Sequence, residues 1–427
     1  MNDSSPSSTP IGALRPRRQR LIACPALEPD IAPEMELLGL VDGASDTDSS
    51  RSSSDLGPVE LELNRLLSFS TKTPVRTRPR DSGKPFTKIG AGSCGAVFAQ
   101  NGTPYAVKMS KTEDHSALWN DYVCHARIAQ LFDRWEFDEV RIPACHFFVP
   151  AGEPRFFERH SALLEAAEGV CSTPTSALVT ERILPLPERV RELLIEKYCA
   201  EHIRDEARAD PANRDCLVRI YLGSTHGKSG QRFFSLRNFK LHLNHMMELQ
   251  LDVRALARGV GIALAIMHWA AETDARDVEF VLGSFSQTVS LAKDPSALSS
   301  LTPKTYTGPS SGRMEDLFRK VETTKLWVID FNQVRKITMD ADGVAQAVDA
   351  ARRNDPYIPK PLQTSADERE VWKAFALSYV EASDVILNIV NGEENDLLEL
   401  PRLFIQGLID VQKEKQQGEA GLEAGRR

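Results

Sequence analysis

Residues 89–108 read I-G-A-G-S-C-G-A-V-F-A-Q-N-G-T-P-Y-A-V-K. Three glycines in this stretch share the spacing G-x-G-x-x-G: Gly90, Gly92 and Gly95. Glycine lacks a Cβ, so backbone N–H groups of such a loop can approach the oxygens of a phosphate closely. The spacing alone is weak, because two different phosphate-binding architectures and many simple turns contain it.

The residues after the third glycine distinguish the two architectures. In a dinucleotide-binding fold a helix starts there, whereas here a β-prone run, 96–99, is followed by Asn101-Gly102. Asn-Gly is the strongest short hairpin signal, because both central residues of that turn take positive φ. A second β-prone run, 105–107, then ends on Lys108. The pattern predicts a glycine-rich β-hairpin that presents a lysine, and not a βαβ unit.

Composition restricts the class of protein. The 427 residues suffice for two or more domains, and a hydrophobic fraction of 41% can supply a core. The net charge of −8 does not favour binding to nucleic acid or to an anionic membrane. We find no apolar run long enough to cross a bilayer and no secretory signal, so we expect no membrane partner and an intracellular location, cytoplasm or nucleus.

The seven cysteines are scattered and form no C-x-x-C, which argues against a disulfide framework. Cys199 with His202, and His242 with His245, are spaced like halves of a zinc site. No cysteine pair completes either half at the usual spacing, so we predict no structural zinc.

Four regions follow from the distribution of polar and apolar residues. Residues 1–83 are rich in Ser, Pro and Asp and are predicted to be a disordered low-complexity tail with short helical islands. One island, 59–67, has apolar residues at helical spacing and could dock on the folded domain or on a partner. Residues 84–183 are predicted to form a sheet plus a helix, 184–395 a mostly helical part, and 396–427 a C-terminal helix and tail.

Periodicity predicts the main elements of the folded part. Helices are expected at 117–135, 187–208, 252–269 (capped by Asp252) and 367–388, and strands at 177–185 and 216–222. The polar stretch 284–325 is expected to be a long loop, although loops of that length are unusual inside a compact domain.

Two further motifs lie downstream of the glycine hairpin. Residues 273–282 read T-D-A-R-D-V-E-F-V-L, and residues 327–332 read W-V-I-D-F-N. Kinase catalytic loops have an Asp, an Asn five positions later and an apolar strand, and a later strand ends in a metal-binding Asp-Phe-Gly. The order of hairpin, lysine, helix, hinge strand, long helix, acidic loop and Asp-Phe resembles the protein kinases. The expected fold is therefore α+β and bilobal, protein-kinase-like, with a small β-rich N-lobe and a mostly helical C-lobe.

That resemblance implies a nucleotide site for ATP and Mg²⁺. The expected cofactor-binding residues are the three glycines, Lys108, an acid on the following helix and the backbone around Glu181 in the hinge strand. Asp121 is the best candidate for the helical acid, with Glu113 as the runner-up.

The remaining site residues come from the two downstream motifs. Asp274 is expected to accept the proton of an attacking hydroxyl, with Arg276 beside it. Asp330 and Glu279 are the expected metal ligands. Asn332 stands where the motif usually has glycine. Asn is an acceptable substitute there in one respect, because it tolerates left-handed φ better than most residues. Taken singly, Asp274 and Asp277 could also be ordinary loop acids, and Arg276 could simply pair with a neighbouring carboxylate.

The sequence departs from the kinase pattern in three respects. The usual H-R-D is E-T-D, Glu279 stands in place of the metal-binding asparagine, and no A-P-E segment follows Asn332. The sequence therefore resembles small-molecule phosphotransferases as closely as it resembles protein kinases.

The chain also resembles an uncharacterised fungal family whose members are often described as zinc finger proteins. The resemblance spans about 86–390 and rests on segments such as A-L-W-N-D-Y, L-V-T-E-R-I-L-P-L, D-F-N-Q-V and N-D-P-Y-I-P-K-P. It implies no assigned activity.

Two functions remain open. One is an ATP- and Mg²⁺-dependent phosphotransferase with an unknown acceptor, and the other is a pseudokinase-type module that binds a protein partner or nucleotide without turnover. A nucleic-acid-binding function is less favoured, because no basic stripe is visible in the folded part.

Overall fold

The N-terminal apolar island forms a helix that packs on the folded part of the chain. In the computed structural model, which describes residues 56–71, 73–74, 85–230, 233–290, 302–305, 318–391 and 396–424, this island is helix α1 (Pro58–Leu67), followed by strand β1 (Thr73–Pro74). Leu63 and Leu67 are buried, and the Asn64 side-chain amide donates to the backbone oxygens of residues 249 and 250 at 2.9 and 2.8 Å. The island could dock on the folded domain, dock on a partner or be a transient helix in a tail, and the structure shows it docked on the chain's own folded part. The rest of the predicted tail lies outside the described residues, apart from short flanking stretches.

The glycine motif belongs to a five-stranded sheet. Its strands, in the order β2-β3-β4-β7-β6, are all antiparallel to their neighbours. In chain order the elements of this region are β2 (Phe86–Ala91), β3 (Gly95–Gln100), β4 (Tyr105–Ser110), α2 (Ser116–Arg134), β5 (Val140–Arg141), β6 (Cys145–Val149), α3 (Pro154–Arg159), α4 (Ser161–Ala167) and β7 (Ala177–Glu181). β5 pairs instead with the second sheet. A separate small core under the five strands includes Phe98, Val107, Leu163 and Val179.

The turn of the hairpin differs from the predicted type. Gly102 has φ of +87°, but Asn101 is not among the residues with positive φ. The backbone N–H of Thr103 donates to the oxygen of Gln100 at 3.2 Å, which closes a four-residue turn from Gln100 to Thr103. In this turn only the third residue, Gly102, is left-handed. The prediction of a turn with two positive φ values was therefore wrong, whereas the hairpin itself was correct, because a longer connection between β3 and β4 relaxes the two-residue requirement.

A second, mixed sheet and most of the helices form the rest of the described chain. The elements are α5 (Glu188–Tyr198), α6 (Arg204–Ala209), β8 (Val218–Tyr221), β9 (Phe239–His242), α7 (Leu243–Glu248), α8 (Val253–Ala265), β10 (Glu279–Ser290), β11 (Phe318–Ile329), α9 (Ala341–Arg353), α10 (Ala366–Asn391) and α11 (Glu399–Ala424). The sheet order is β1-β11-β10-β8-β9, with β5 parallel to β11. The α+β class is confirmed, and the large core lies between this sheet and the helices.

Helix α8 crosses the centre of that core. The Asp252 carboxylate caps it by accepting from the N–H of Ala255 at 2.9 Å, as predicted. Contrary to the expectation from the sequence, residues 253–270 are long and apolar enough to cross a membrane by length and composition, but 67% of them are buried inside the fold. Leu256, Val260 and Leu264 are buried among the other helices, above all α10, as in the core helix of a globular protein.

Two predicted boundaries were wrong. The charged segment 187–208 is interrupted after Tyr198, because Cys199 and Ala200 adopt extended backbone between α5 and a short 3-10 turn. The stretch 284–325 is not one long loop: β10 and β11 pair continuously from Glu279 opposite Ile329 to Ser290 opposite Phe318. Their many Ser and Thr side chains resemble a loop in composition, but the pairing satisfies the backbone groups of both strands.

We predict that α1 stabilises the fold. Leu63 is fully buried, so Leu63→Ala should lower the free energy of unfolding by about 2–5 kcal/mol. Leu61 lies on the same helix and is 51% exposed, so Leu61→Ala should change it by about 0.5 kcal/mol or less. Urea denaturation of both variants checks this, and equal effects would show that α1 does not dock in solution.

Candidate functional site

The glycine loop between β2 and β3 covers one end of a cleft between the two sheets. The N–H of Gly92 donates to the oxygen of Gly95 at 2.9 Å, which closes the loop. A Cβ placed on Gly95 would lie 3.0 Å from the Met109 carbonyl oxygen, so β4 requires a glycine there. A Cβ on Gly92 would meet nothing within 4 Å. Gly95 thus serves packing, and Gly92 leaves open space at the cleft.

Lys108 on β4 joins three elements beneath this loop. Its Nζ donates to Asp121 Oδ2 of α2 at 2.6 Å and to Asp330 Oδ1, just after β11, at 2.9 Å. Burial by itself would lower the pKa of Lys108, but the two carboxylates outweigh it and raise that pKa well above its ordinary value. The lysine is therefore a fixed positive charge at any physiological pH.

Asp121 is the acid that the helix after β4 supplies. Its side chain is only 4% exposed, and its Oδ1 accepts from the backbone N–H of Phe331 at 3.2 Å. Phe331 is fully buried, with its ring 4.9 Å from that of His125. Glu113, the alternative acid, is exposed. Asp121 thereby ties α2 both to β4 and to the segment after β11.

The Asp330-Phe331-Asn332 segment has an unusual backbone. Asp330 itself has φ of +68°, whereas Asn332, expected to take the left-handed conformation, is not among the residues with positive φ. Asn120 holds the segment from α2, because its Nδ2 donates to the backbone oxygens of Asn332 and Val334 at 3.0 and 2.9 Å. The Oδ1 of Asn332 is buried and has no hydrogen-bond partner among the described residues. One acceptor at the cleft is thus left for a ligand.

Asp274 does not line this cleft, contrary to the role predicted for it. Its side chain is fully buried and accepts from Arg335 Nε at 2.6 Å, from the Arg335 backbone N–H at 2.9 Å and from Gln346 Nε2 at 3.1 Å. A fourth donor is the backbone N–H of Arg276 at 3.1 Å. With four donors its oxygens are occupied, and the interpretation as a structural loop acid fits its position.

Arg276 also lies away from the cleft lining. Its guanidinium is 3.5 Å from Asp349 Oδ2 on α9, the kind of ordinary carboxylate pairing that the sequence left open.

Asp277 takes the position at the cleft that was expected for Asp274. It lines the cleft with Glu279, Asp330 and Lys108, and Gln333 donates a hydrogen bond to its carboxylate. Burial, followed by the charge of Asp330, raises the pKa of Asp277 above its ordinary value. A half-buried carboxylate with a raised pKa suits proton acceptance better than the saturated Asp274 does.

Glu279 begins β10 and faces the same cleft. Its Oε1 is 2.7 Å from Arg219 on β8. Burial raises the pKa of Glu279 to about 7, Arg219 opposes this rise, and Asp330 and Asp277 add to it. At neutral pH this carboxyl group therefore exchanges between its two protonation states.

The cleft itself encloses about 240 Å³. Its polar wall includes Lys108, Asp121, Asp277, Glu279, Asp330 and Asn332 together with Asp215 and Arg219, and its apolar wall includes Ile89, Val97, Ala106, Leu178, Ile183, Leu217 and Ile329. Glu181 lies at the edge, where its N–H donates to the Ala144 oxygen at 2.7 Å and its side chain accepts from the Ala144 N–H at 3.0 Å. Of the predicted residues, the cleft brings together all three glycines, Lys108, Asp121, Glu181, Glu279 and Asp330, and leaves out Asp274 and Arg276.

The residues considered for zinc differ in their surroundings. The rings of His242 and His245 are 5.7 Å apart, Cys199 is buried and His202 is exposed. In the described part of the chain, no group of three or more His, Cys, Asp or Glu side chains is arranged to hold a metal ion.

Sequence reasoning missed Arg219, Asn120 and the cleft role of Asp277. Arg219 interrupts the apolar run C-L-V-R-I-Y-L, and a charge in a buried strand is a signal of a buried partner. Asn120 directly precedes Asp121 and carries no comparable signal. Asp277 was visible as a loop acid, but nothing in the sequence shows which loop acid faces the cleft.

Comparison with known proteins gives one match. A family model described as "Zinc finger protein", of unknown function, matches residues 326–391, from the end of β11 through α10. This supports the resemblance to that uncharacterised family over the matched residues, which include Asp330 and Asn332. Neither the curated proteins nor the solved structures contain a significant match.

We predict unequal costs for the two loop acids. Asp274→Ala removes a buried acceptor of four hydrogen bonds, so it should destabilise the fold by about 2–3 kcal/mol. Asp277→Ala should cost about 1 kcal/mol or less, because this side chain is only half-buried. Thermal denaturation monitored by circular dichroism checks this, and a larger loss for Asp277→Ala would contradict the assigned positions.

Proposed function

We propose that the chain has a bilobal, protein-kinase-like fold and that its cleft binds ATP with Mg²⁺ for phosphoryl transfer. The five-stranded sheet with α2 would be the N-lobe, and the remainder with the second sheet the C-lobe. The observation that carries the proposal is the contact of Lys108 with both Asp121 and Asp330 beneath the glycine loop. A fixed cation, a helical acid that holds it and a carboxylate opposite it are the parts that phosphoryl transfer requires.

The two walls of the cleft would contact different parts of the nucleotide. Lys108 and the backbone N–H groups of the glycine loop would bind the phosphates. The apolar wall, which includes Ala106, Leu178 and Leu217, would contact the base, with the backbone near Glu181 at its edge. The present volume of about 240 Å³ is below the range of about 300–1,000 Å³ of ligand pockets, so binding would require the lobes to separate slightly.

The donor set fits Mg²⁺. Magnesium prefers oxygen ligands and is usually held by one or two carboxylates together with substrate phosphates. Asp330 supplies a carboxylate, Asn332 a buried oxygen that has no partner among the described residues, and Glu279 a second carboxyl group once it is deprotonated. When bound, the ion would neutralise the negative charge that develops on the phosphates.

Asp277 is the residue that we assign to proton acceptance. The acceptor hydroxyl would give its proton to the Asp277 carboxylate while its oxygen forms a bond to the γ-phosphorus. The bond from that phosphorus to the bridging β–γ oxygen breaks, and ADP leaves. Gln333 holds Asp277 in place through their hydrogen bond.

Two observations favour a second function. Asp274, the predicted proton acceptor, is held by structural contacts, and Glu279 is paired with Arg219. These features suit a module that binds nucleotide without turnover. Incubation with radiolabelled ATP separates the two functions: phosphoryl transfer or ATP hydrolysis that Asp277→Asn abolishes supports the enzyme, and binding without either supports the module.

Nucleotide binding is tested by a pair of glycine substitutions. Gly92→Val adds a side chain into open space at the cleft, so it should leave the unfolding temperature without ligand unchanged but weaken ATP·Mg²⁺ binding about tenfold or more. Gly152 also has open space around it and lies outside the cleft, so Gly152→Val should bind like the unsubstituted protein. Ligand-induced stabilisation in thermal-shift titrations gives both affinities.

The proposal of nucleotide binding fails if the unsubstituted protein gains no stability from millimolar ATP·Mg²⁺. It also fails if Gly92→Val binds ATP·Mg²⁺ as tightly as Gly152→Val.

A further inference from the structure

A second and larger cavity lies behind the cleft. It encloses about 620 Å³ between α2, the loop before β10 and the segment after Phe331. Asn332 lines both cavities. Gln333 lines the second cavity and hydrogen-bonds to Asp277, which lines the cleft. The Asp277–Gln333 contact therefore stands between the two spaces.

The lining of this cavity has a charge opposite to that of the whole chain. Its basic side chains come from three segments: Arg127, Arg276, Arg335 and Lys336. No Asp or Glu is among the described residues that line it. In a chain with a net charge of −8, four cations around one cavity are a local excess that attracts anions.

The nearby acids neutralise these cations only in part. Glu272 is the single carboxylate near both Arg127, at 4.0 Å, and Lys336, at 3.4 Å. Arg335 reaches the buried Asp274 through its Nε, and Arg276 lies 3.5 Å from Asp349. Arg127 and Arg335 are each 46% exposed and Lys336 is 73% exposed, so these side chains remain accessible to a ligand.

The remaining lining defines the rest of the ligand. Val123, Ile128 and Val334 form an apolar part of the wall, and Asn120 and Gln333 contribute amides. A guanidinium group can donate two parallel hydrogen bonds to two oxygens of a phosphate, whereas an apolar wall suits a carbon skeleton. We propose that this cavity binds a small molecule that carries a phosphate group, at a site distinct from the nucleotide cleft. The site does not depend on the function proposed for that cleft.

Inorganic pyrophosphate is the probe for the test, with binding measured by isothermal titration calorimetry on the full chain. Arg127→Gln with Lys336→Gln removes two accessible cations that have only weak internal pairs, so the fold should persist. We expect this double variant to bind pyrophosphate about tenfold more weakly. Val123→Glu, which places an acid on the 45% exposed apolar wall, should weaken binding similarly.

Two controls locate the effect. Arg134→Gln removes an exposed cation of the same helix that does not line the cavity, and it should bind like the unsubstituted protein. Gly92→Val obstructs the nucleotide cleft, where pyrophosphate can also bind beside Lys108, and it should leave unchanged the binding event that Arg127→Gln with Lys336→Gln weakens.

Three results would overturn the proposal: no measurable binding of pyrophosphate, equal loss in Arg134→Gln, which indicates a diffuse charge effect, or loss in Gly92→Val of the binding event that Arg127→Gln with Lys336→Gln weakens, which places that anion in the nucleotide cleft. Circular dichroism spectra of each variant confirm that loss of binding does not reflect unfolding.

Discussion

The ion pairs of Lys108 hold together the parts of the molecule that form the cleft. Its ammonium group lies between Asp121 and Asp330, and so links the glycine-bearing sheet, helix α2 and the end of β11. Asp121 adds a second link through the N–H of Phe331. Removal of one member of a buried pair leaves an uncompensated charge, at a cost of about 3–5 kcal/mol. The same contacts that stabilise the fold therefore fix the charged groups of the candidate site.

Strained backbone determines which acid reaches the cleft. The segment before β10 has positive φ at Glu272, Ala275 and Asp277, and Asp330 adds a fourth such residue opposite. Each left-handed non-glycine residue costs about 1–2 kcal/mol, and such residues cluster at functional sites because the surrounding structure enforces them. Here the left-handed turns direct Asp274 inward to Arg335 and bring Asp277 to the cleft. This backbone explains why Asp277, and not Asp274 three positions earlier, lines the cleft.

The parts of the site that could be predicted are those that local pattern specifies. The glycine spacing and the β-prone runs of β3 and β4 predicted the hairpin and Lys108, and the helix predicted after Lys108 contained Asp121, which the structure places among its buried residues. The long hairpin of β10 and β11 could not be read, because its polar residues resemble a loop until the partner strand is known. The left-handed residues of the acidic loop could not be predicted either, because nothing in the sequence indicates a positive φ at Ala275 or Asp277. Arg219 required knowledge of which strands are neighbours.

The most direct measurement is a titration of Mn²⁺ with a non-hydrolysable ATP analogue, followed by electron paramagnetic resonance. We predict that the protein binds one Mn²⁺ per chain only when the analogue is present. Asp330→Asn should lose that signal, whereas Asp410→Asn, an exposed acid on α11, should keep it. Binding of Mn²⁺ and analogue that is the same in both variants would contradict a nucleotide and metal site at Lys108, Asp121 and Asp330.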